Sequence, residues 1–147
     1  MNLRDSLNAF YYSNALCDLQ LMNRQFSNPA ITYNSLLYLE IIYSMHGKCT
    51  ASKLADMLCI SRPGVTKKLN ELLEQGLILK TPDPKDGRKC FLSVNEDTAP
   101  QYQIYRQQDD LAVRTIEEKY SKEEIEKFSD MLQILTEINY EEANNTR

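Results

Sequence analysis

No apolar run in the 147 residues reaches the roughly 18 to 20 needed to span a bilayer, and no signal peptide opens the chain. Those absences predict a cytoplasmic protein with no membrane partner. Histidine occurs once, at His46, so a His-rich zinc site cannot be assembled, and neither a metal nor another cofactor is expected. There is no Gly-rich loop to cradle phosphates and no nucleophile set at a recognisable spacing from a base, which argues against an enzyme. The four cysteines, Cys17, Cys49, Cys59 and Cys90, show no C-x-x-C spacing and no secretory context. A disulfide framework is therefore not expected, and each cysteine is read as a small apolar residue.

What is present is an ordinary globular composition, 42% hydrophobic and 26% charged, with a length that allows one compact unit plus helical extensions. The net charge of -4 at first argues against a nucleic-acid partner, but it is unevenly spread. Between Lys48 and Cys90, nine lysines and arginines stand against five carboxylates, a net +4; the remainder, eight against sixteen, carries -8. Basic charge is thus confined to one segment, where it can face phosphate.

That segment, Thr50 to Val94, has the order of a winged helix-turn-helix. A first helix over about Thr50 to Leu58, with Thr50 or Ser52 as cap, shares Leu54, Ala55 and Leu58 on one face. Cys59 and Ile60 turn the chain. Ser61 then caps a second helix, Pro63 sits in its first turn, and Gly76 ends it as a residue able to take positive φ. Val65, Leu69, Leu72 and Leu73 form its buried side; Pro63, Gly64, Lys67, Asn70, Glu71 and Glu74 form the opposite one, with Thr66 and Lys68 on the flanks. The outer face is basic and small at its N-terminal half and acidic further along, the polarity needed by a helix that enters the major groove by its N-terminus. Leu77 to Thr81 and Cys90 to Val94 suit two strands, joined by the turn formers of Pro-Asp-Pro-Lys-Asp-Gly-Arg. The hairpin tip carries Lys85, Arg88 and Lys89, and an arginine there can reach a narrow minor groove.

The run SRPGVTKKLNELLEQGLI followed by DPKDGRK resembles the recognition helix and wing of the multiple antibiotic resistance regulator (MarR) family of dimeric transcription factors. The resemblance covers nearly the whole chain, since the flanking helices match in order and length. It implies that Asp86 holds Arg88 for minor-groove contact and that Thr66 and Lys67 are directed at the major groove. With it, Lys67, Thr66, Pro63 and Gly64 are expected near base edges, and Ser61, Arg62, Lys68 and Lys53 at or near phosphate. Lys85, Asp86, Arg88 and Lys89 make up the wing's share of the DNA interface. After the wing the family commonly has Leu-Thr-x-x-Gly, whereas this chain has Leu92-Ser93-Val94-Asn95, a departure expected to loosen the placement of the next helix.

The flanks read as dimerisation helices. Leu3, Leu7, Phe10, Asn14, Cys17 and Leu21 step by fours and threes like a helix seam, with Tyr11 and Tyr12 beside it. Ser27-Asn28-Pro29 breaks that helix. Thr32 or Asn34 caps another, whose apolar run is nearly continuous around the helix and belongs in the middle of the fold. Asp97 or Thr98 starts a long helix with Pro100 in its first turn, and Ser121 with Glu124 makes a capping box for a last helix striped by Ile125, Phe128, Leu132, Leu135 and Ile138. The domains expected are residues 1–30 and 98–147 for dimerisation and 31–97 for the winged helix.

The apolar surface of these flanks exceeds what a small winged domain covers, so a homodimer is expected, with two recognition helices one DNA turn (roughly 34 Å) or a multiple apart over a pseudo-palindromic duplex. The family resemblance implies a repressor released by a small aromatic or anionic effector, for which Tyr11, Tyr12, Tyr33, Tyr38 and His46 are candidate lining residues. Plain core or helix-end roles compete for each of them. Two alternatives stand beside this reading. One is a redox-sensing regulator using Cys17, whose neighbours Leu16 and Asp18 disfavour the reactive thiolate. The other is a winged helix that binds proteins.

Overall fold

Side-chain oxygens start the helices at the centre of the chain. The computed structural model describes residues 2–25, 31–97 and 100–145. Within them lie α1 (Leu3–Gln25), α2 (Tyr33–Ser44), α3 (Ala51–Leu58), α4 (Arg62–Glu74), β1 (Ile78–Pro82), β2 (Cys90–Val94), α5 (Pro100–Lys119) and α6 (Lys122–Asn145). Ser27-Asn28-Pro29 and the candidate cap Thr98 lie outside the described residues. Thr50 Oγ1 accepts the Lys53 N–H at 3.2 Å to open α3, and Ser61 Oγ accepts the Gly64 N–H at 3.2 Å to open α4. At α2, Thr32 Oγ1 accepts the Ser35 N–H at 3.1 Å while Ser35 Oγ accepts the Thr32 N–H at 3.4 Å, a reciprocal cap.

The turn between α3 and α4 places Cys59 at φ 54, in the left-handed region. Cys59 lies in the turn expected for it, and its side chain is exposed, so it does not act as a small apolar packing residue. Gly76, at φ 69, closes α4. Its N–H reaches Leu73 O at 2.9 Å, and the Leu77 N–H reaches Leu72 O at 2.9 Å, the paired bonds of a Schellman ending. Leu77 is thereby claimed by the helix end, and the first strand starts one residue later than expected.

β1 and β2 pair antiparallel, with Ile78 opposite Val94, Lys80 opposite Leu92 and Pro82 opposite Cys90. On the other edge of β2, the Leu92 N–H donates to Cys49 O at 2.9 Å, which ties the connection before α3 to the sheet. α3 packs on α4, α4 against β1, and α2 against β2. The core between them holds Leu39 and Ile42 of α2, Leu54 of α3, Val65 and Leu72 of α4 and Ile78 of β1, none more than 2% exposed. Each such side chain contributes about 1.5–3 kcal/mol on burial. α2 buries Ser35, Leu36, Tyr38, Leu39 and Ile42, while Leu37 is 46% exposed and Glu40 is exposed.

Asn95, at the departure from the family pattern, is bonded on both its groups. Its Nδ2 donates to Gly76 O at 2.9 Å and its backbone N–H to Leu77 O at 2.8 Å, which anchors the end of β2 to the end of α4. The chain divides into two compact units, Met1–Gln103 and Ile104–Arg147. In the second, Ser121 and Glu124 form the expected capping box: the Ser121 N–H and hydroxyl donate to Glu124 Oε2 at 2.8 and 2.7 Å, and the Glu124 N–H returns to Ser121 Oγ at 3.4 Å. These donors hold the Glu124 carboxyl below its ordinary pKa. Phe128, Leu132 and Ile138 of α6 are all exposed. No helix among the described residues is long and apolar enough to cross a membrane.

Candidate nucleic-acid interface

α4 begins with the Arg62 cation on the outside and most of its first-turn amides already accounted for. Ser61 takes one of the first-turn N–H groups, and Pro63 in that turn has none to leave unsatisfied. Gly64 fits the cap closely, since a Cβ there meets Ser61 Oγ at 3.2 Å. Arg62, Pro63, Gly64, Thr66 and Lys67 are exposed around this end, while Val65 and Leu69 are buried behind them. The positive helix end and two exposed cations reinforce each other.

The wing sorts its charges by sign. Asp83 Oδ1 accepts the Lys85 N–H at 2.8 Å, and Asp86 Oδ1 accepts the Arg88 N–H at 3.1 Å. The Asp86 carbonyl takes the Lys89 N–H at 2.9 Å, and the Lys89 carbonyl takes the Asp83 N–H at 2.9 Å. Both carboxylates are thus turned to the backbone and half-buried, while Lys85, Arg88 and Lys89 are exposed. Asp86 braces the turn that carries Arg88 through the main chain; the expectation was a grip on Arg88 itself.

Between α4 and the hairpin lies an open crevice of about 430 Å³. Thr66 and Asn70 line it from α4, Lys80, Arg88 and Lys89 from the hairpin, and Thr50 and Ser52 from the start of α3. Helix and wing therefore bound one concave surface, in which the cations Lys80, Arg88 and Lys89 outnumber the one carboxylate, Asp83. Sequence reasoning did not single out Ser52, Asn70 or Lys80 for this site. Lys80 lies opposite Leu92 and on the same face of the sheet as Ile78, yet is exposed near the hairpin, a placement readable only once the register is known.

Residues 31–90 match the model of the MarR family. The winged-helix segment is similar to the MarR family. The chain is 29% identical over 80 residues to the homoprotocatechuate degradative operon repressor of Escherichia coli, an alignment spanning 54% of this chain and 54% of that protein. It thus covers about half the length of that relative. The fold is similar to that of Streptococcus pneumoniae FabT in complex with DNA, with a TM-score of 0.65 at 18% identity over 95% of this chain and 96% of that one. It is also similar to a MepR variant from a multidrug-resistant S. aureus clinical isolate, with a TM-score of 0.66 at 19% identity over 94% of this chain and 98% of that one.

Other candidate residues of the winged-helix segment and its flanks fall in different surroundings. Lys53 is exposed on the first turn of α3. Lys68 differs from its exposed neighbour Lys67: its side chain is 17% exposed, and Nζ donates to the buried Ser35 Oγ at 3.0 Å and lies 3.5 Å from Glu71 Oε2. It faces α2, not the phosphate flank expected for it. Tyr38 is packed in the core, where burial raises the pKa of its phenol. Tyr33 is exposed and donates to Asp18 Oδ2 of α1 at 3.3 Å; partial desolvation, then that carboxylate, raises its pKa. Tyr11 and Tyr12 are exposed on α1, and the Tyr11 ring lies 6.0 Å from that of Phe10. His46, at φ 48, is exposed just after the C-cap of α2 and meets Tyr43 edge-on at 6.5 Å. None of these five lines the crevice between α4 and the wing. Cys17 is half-buried on α1, and burial pushes the Cys49 thiol up to about 11.

Proposed function

We propose that this chain is a DNA-binding transcriptional regulator that works as a homodimer on a pseudo-palindromic duplex. The observation that carries the reading is the common concave surface of α4 and the wing, with Lys67 and Arg62 exposed on the helix and Arg88 and Lys89 on the hairpin. Thr66, Lys67, Pro63 and Gly64 read base edges; Ser61, Arg62 and Lys53 position the helix on phosphate; Arg88 enters the minor groove from the wing, with Lys85 and Lys89 on the flanking backbone. The exposed apolar residues of α1 (Leu3, Phe10, Leu19) and of α6 (Phe128, Leu132, Ile138) supply the surface that a second copy covers. Similarity to an operon repressor favours repression over activation. A small aromatic or anionic effector releases the DNA, by binding unequally to the two spacings of the recognition helices.

Selection of bound duplexes from a random pool tests this directly. The expected product is an inverted repeat with half-sites one helical turn or a multiple apart, bound with a steep loss of affinity as salt rises. No enrichment, or recovery of an asymmetric product bound by a monomer, overturns the reading. A protein-binding winged helix predicts the first of those outcomes.

A further inference from the structure

The first turn of α2 holds a hydrogen-bonding cluster that the DNA-facing residues do not use. Ser35 Oγ is fully buried and accepts from Thr32 N at 3.4 Å and from Lys68 Nζ at 3.0 Å. A hydroxyl has two acceptor sites and one proton. With both acceptor sites taken, the contact of 3.0 Å between Ser35 Oγ and Thr32 Oγ1 has one direction: Ser35 donates. Every position on that hydroxyl is occupied, so the Lys68 amine is located by a saturated, buried partner, with Glu71 Oε2 a further 3.5 Å contact.

We infer that Lys68 is a positioning residue for DNA recognition: through the buried Ser35 hydroxyl it sets the rotation of α4 about its own axis, with the first turn of α2 as the seat. This rests on the reading of α4 as the helix that enters the groove. Lys67 precedes Lys68 by one residue on the same turn, about 100° around the helix. A rotation of about 10° displaces side chains by about 1 Å at an outer radius of roughly 5–6 Å, enough to spoil hydrogen bonds to base edges. The apolar residues behind α4 resist translation but resist rotation less, because neighbouring Leu and Val side chains slide past one another more readily than a directed bond re-forms. The seat is itself held from outside the α2–α4 pair, because Tyr33, the first residue of α2, donates to Asp18 of α1 at 3.3 Å.

Lys68→Met keeps the aliphatic stem and strands no buried donor, so the variant folds. The test measures Lys68→Met, Ser35→Ala and the double variant by thermal unfolding and by titration across a salt series against the duplex that the wild-type protein selects from a random pool. The expected result is about a tenfold weaker complex for Lys68→Met, the worth of one charge-assisted hydrogen bond, with the slope of log K against log salt unchanged. Ser35→Ala weakens binding similarly although its side chain cannot touch DNA, and the double variant is no weaker than the worse single one. A slope that falls by about one in Lys68→Met makes it a phosphate contact and overturns the inference. So does wild-type affinity in Lys68→Met with only a lower melting temperature, which leaves the bond a purely structural one. If Ser35→Ala does not fold, those two readings of Lys68→Met still decide. A wild-type protein that selects no duplex overturns this inference and the proposed function together, whereas the variant outcomes overturn only the inference.

Discussion

Replacing Asp86 by asparagine and by alanine separates two ways in which the wing can be built. In the structure Asp86 Oδ1 accepts the Arg88 backbone N–H at 3.1 Å, a bond to the turn and not to the guanidinium. An amide oxygen can take the same N–H, so Asp86→Asn preserves the turn. Alanine has no acceptor, and the loss of one such bond is worth about 1 kcal/mol, or roughly fivefold in an equilibrium. Asparagine also removes a negative charge from a surface facing phosphate. At about 10 Å in water that repulsion is worth about 0.4 kcal/mol, close to twofold. Fluorescence anisotropy with the selected duplex is expected to rank Asp86→Asn equal to or up to about twofold tighter than the wild type, and Asp86→Ala, which loses the bond and gains the same relief, about two- to fivefold weaker. The reasoning is refuted if asparagine weakens binding as much as alanine does, because the carboxylate charge is then what holds Arg88.

Arg88→Ala is expected to weaken the same complex by about 1–3 kcal/mol and to lower the salt slope, with the melting temperature unchanged because the hairpin keeps the backbone N–H; unchanged affinity removes the wing from the interface. Leu132→Glu puts a charge on the exposed apolar stripe of α6, where a symmetric partner would bring like charges together, so sedimentation is expected to show a monomer that no longer holds the full palindrome. A variant that remains dimeric moves the interface elsewhere. Cys49 gives a pH test. Its folded pKa of about 11 lies above the ordinary thiol value of 9.0, so the unfolded chain releases its proton first. The stability is fully present below about pH 9 and declines as pH rises to about 11, by at most about 3 kcal/mol. Cys49→Ala is expected to flatten that decline in chemical unfolding, leaving the smaller part due to phenols such as Tyr38, whose pKa burial also raises; an unaltered decline assigns it to other groups.

The parts of the interface that could be read directly are those built from neighbours in the chain. Ser61 and Gly64 are three residues apart, Asp86 and Arg88 two, and Gly76 ends the helix it follows. Their chemistry is local, so residue type and spacing carry it. Leu77 shows the limit of this legibility, because strand pattern and helix ending compete for one backbone N–H and the helix ending takes it. Cys59 was legible as a turn residue from its place between two helices, but its left-handed backbone and exposure were not.

From sequence alone came the order of elements, their caps, the segregation of positive charge into residues 48–90 and the choice of α4 and the wing as the surface for DNA. Those are consequences of contacts within a few residues and of periodicity. Tertiary structure decided which of two adjacent lysines stays free. Periodicity separates Lys67 from Lys68 only as outer face from flank; packing α2 against the rest of the domain brings Ser35, 33 residues away, under Lys68 and leaves Lys67 in solvent. A bond between side chains so far apart depends on how helices are rotated against a shared core, and no local pattern records that rotation.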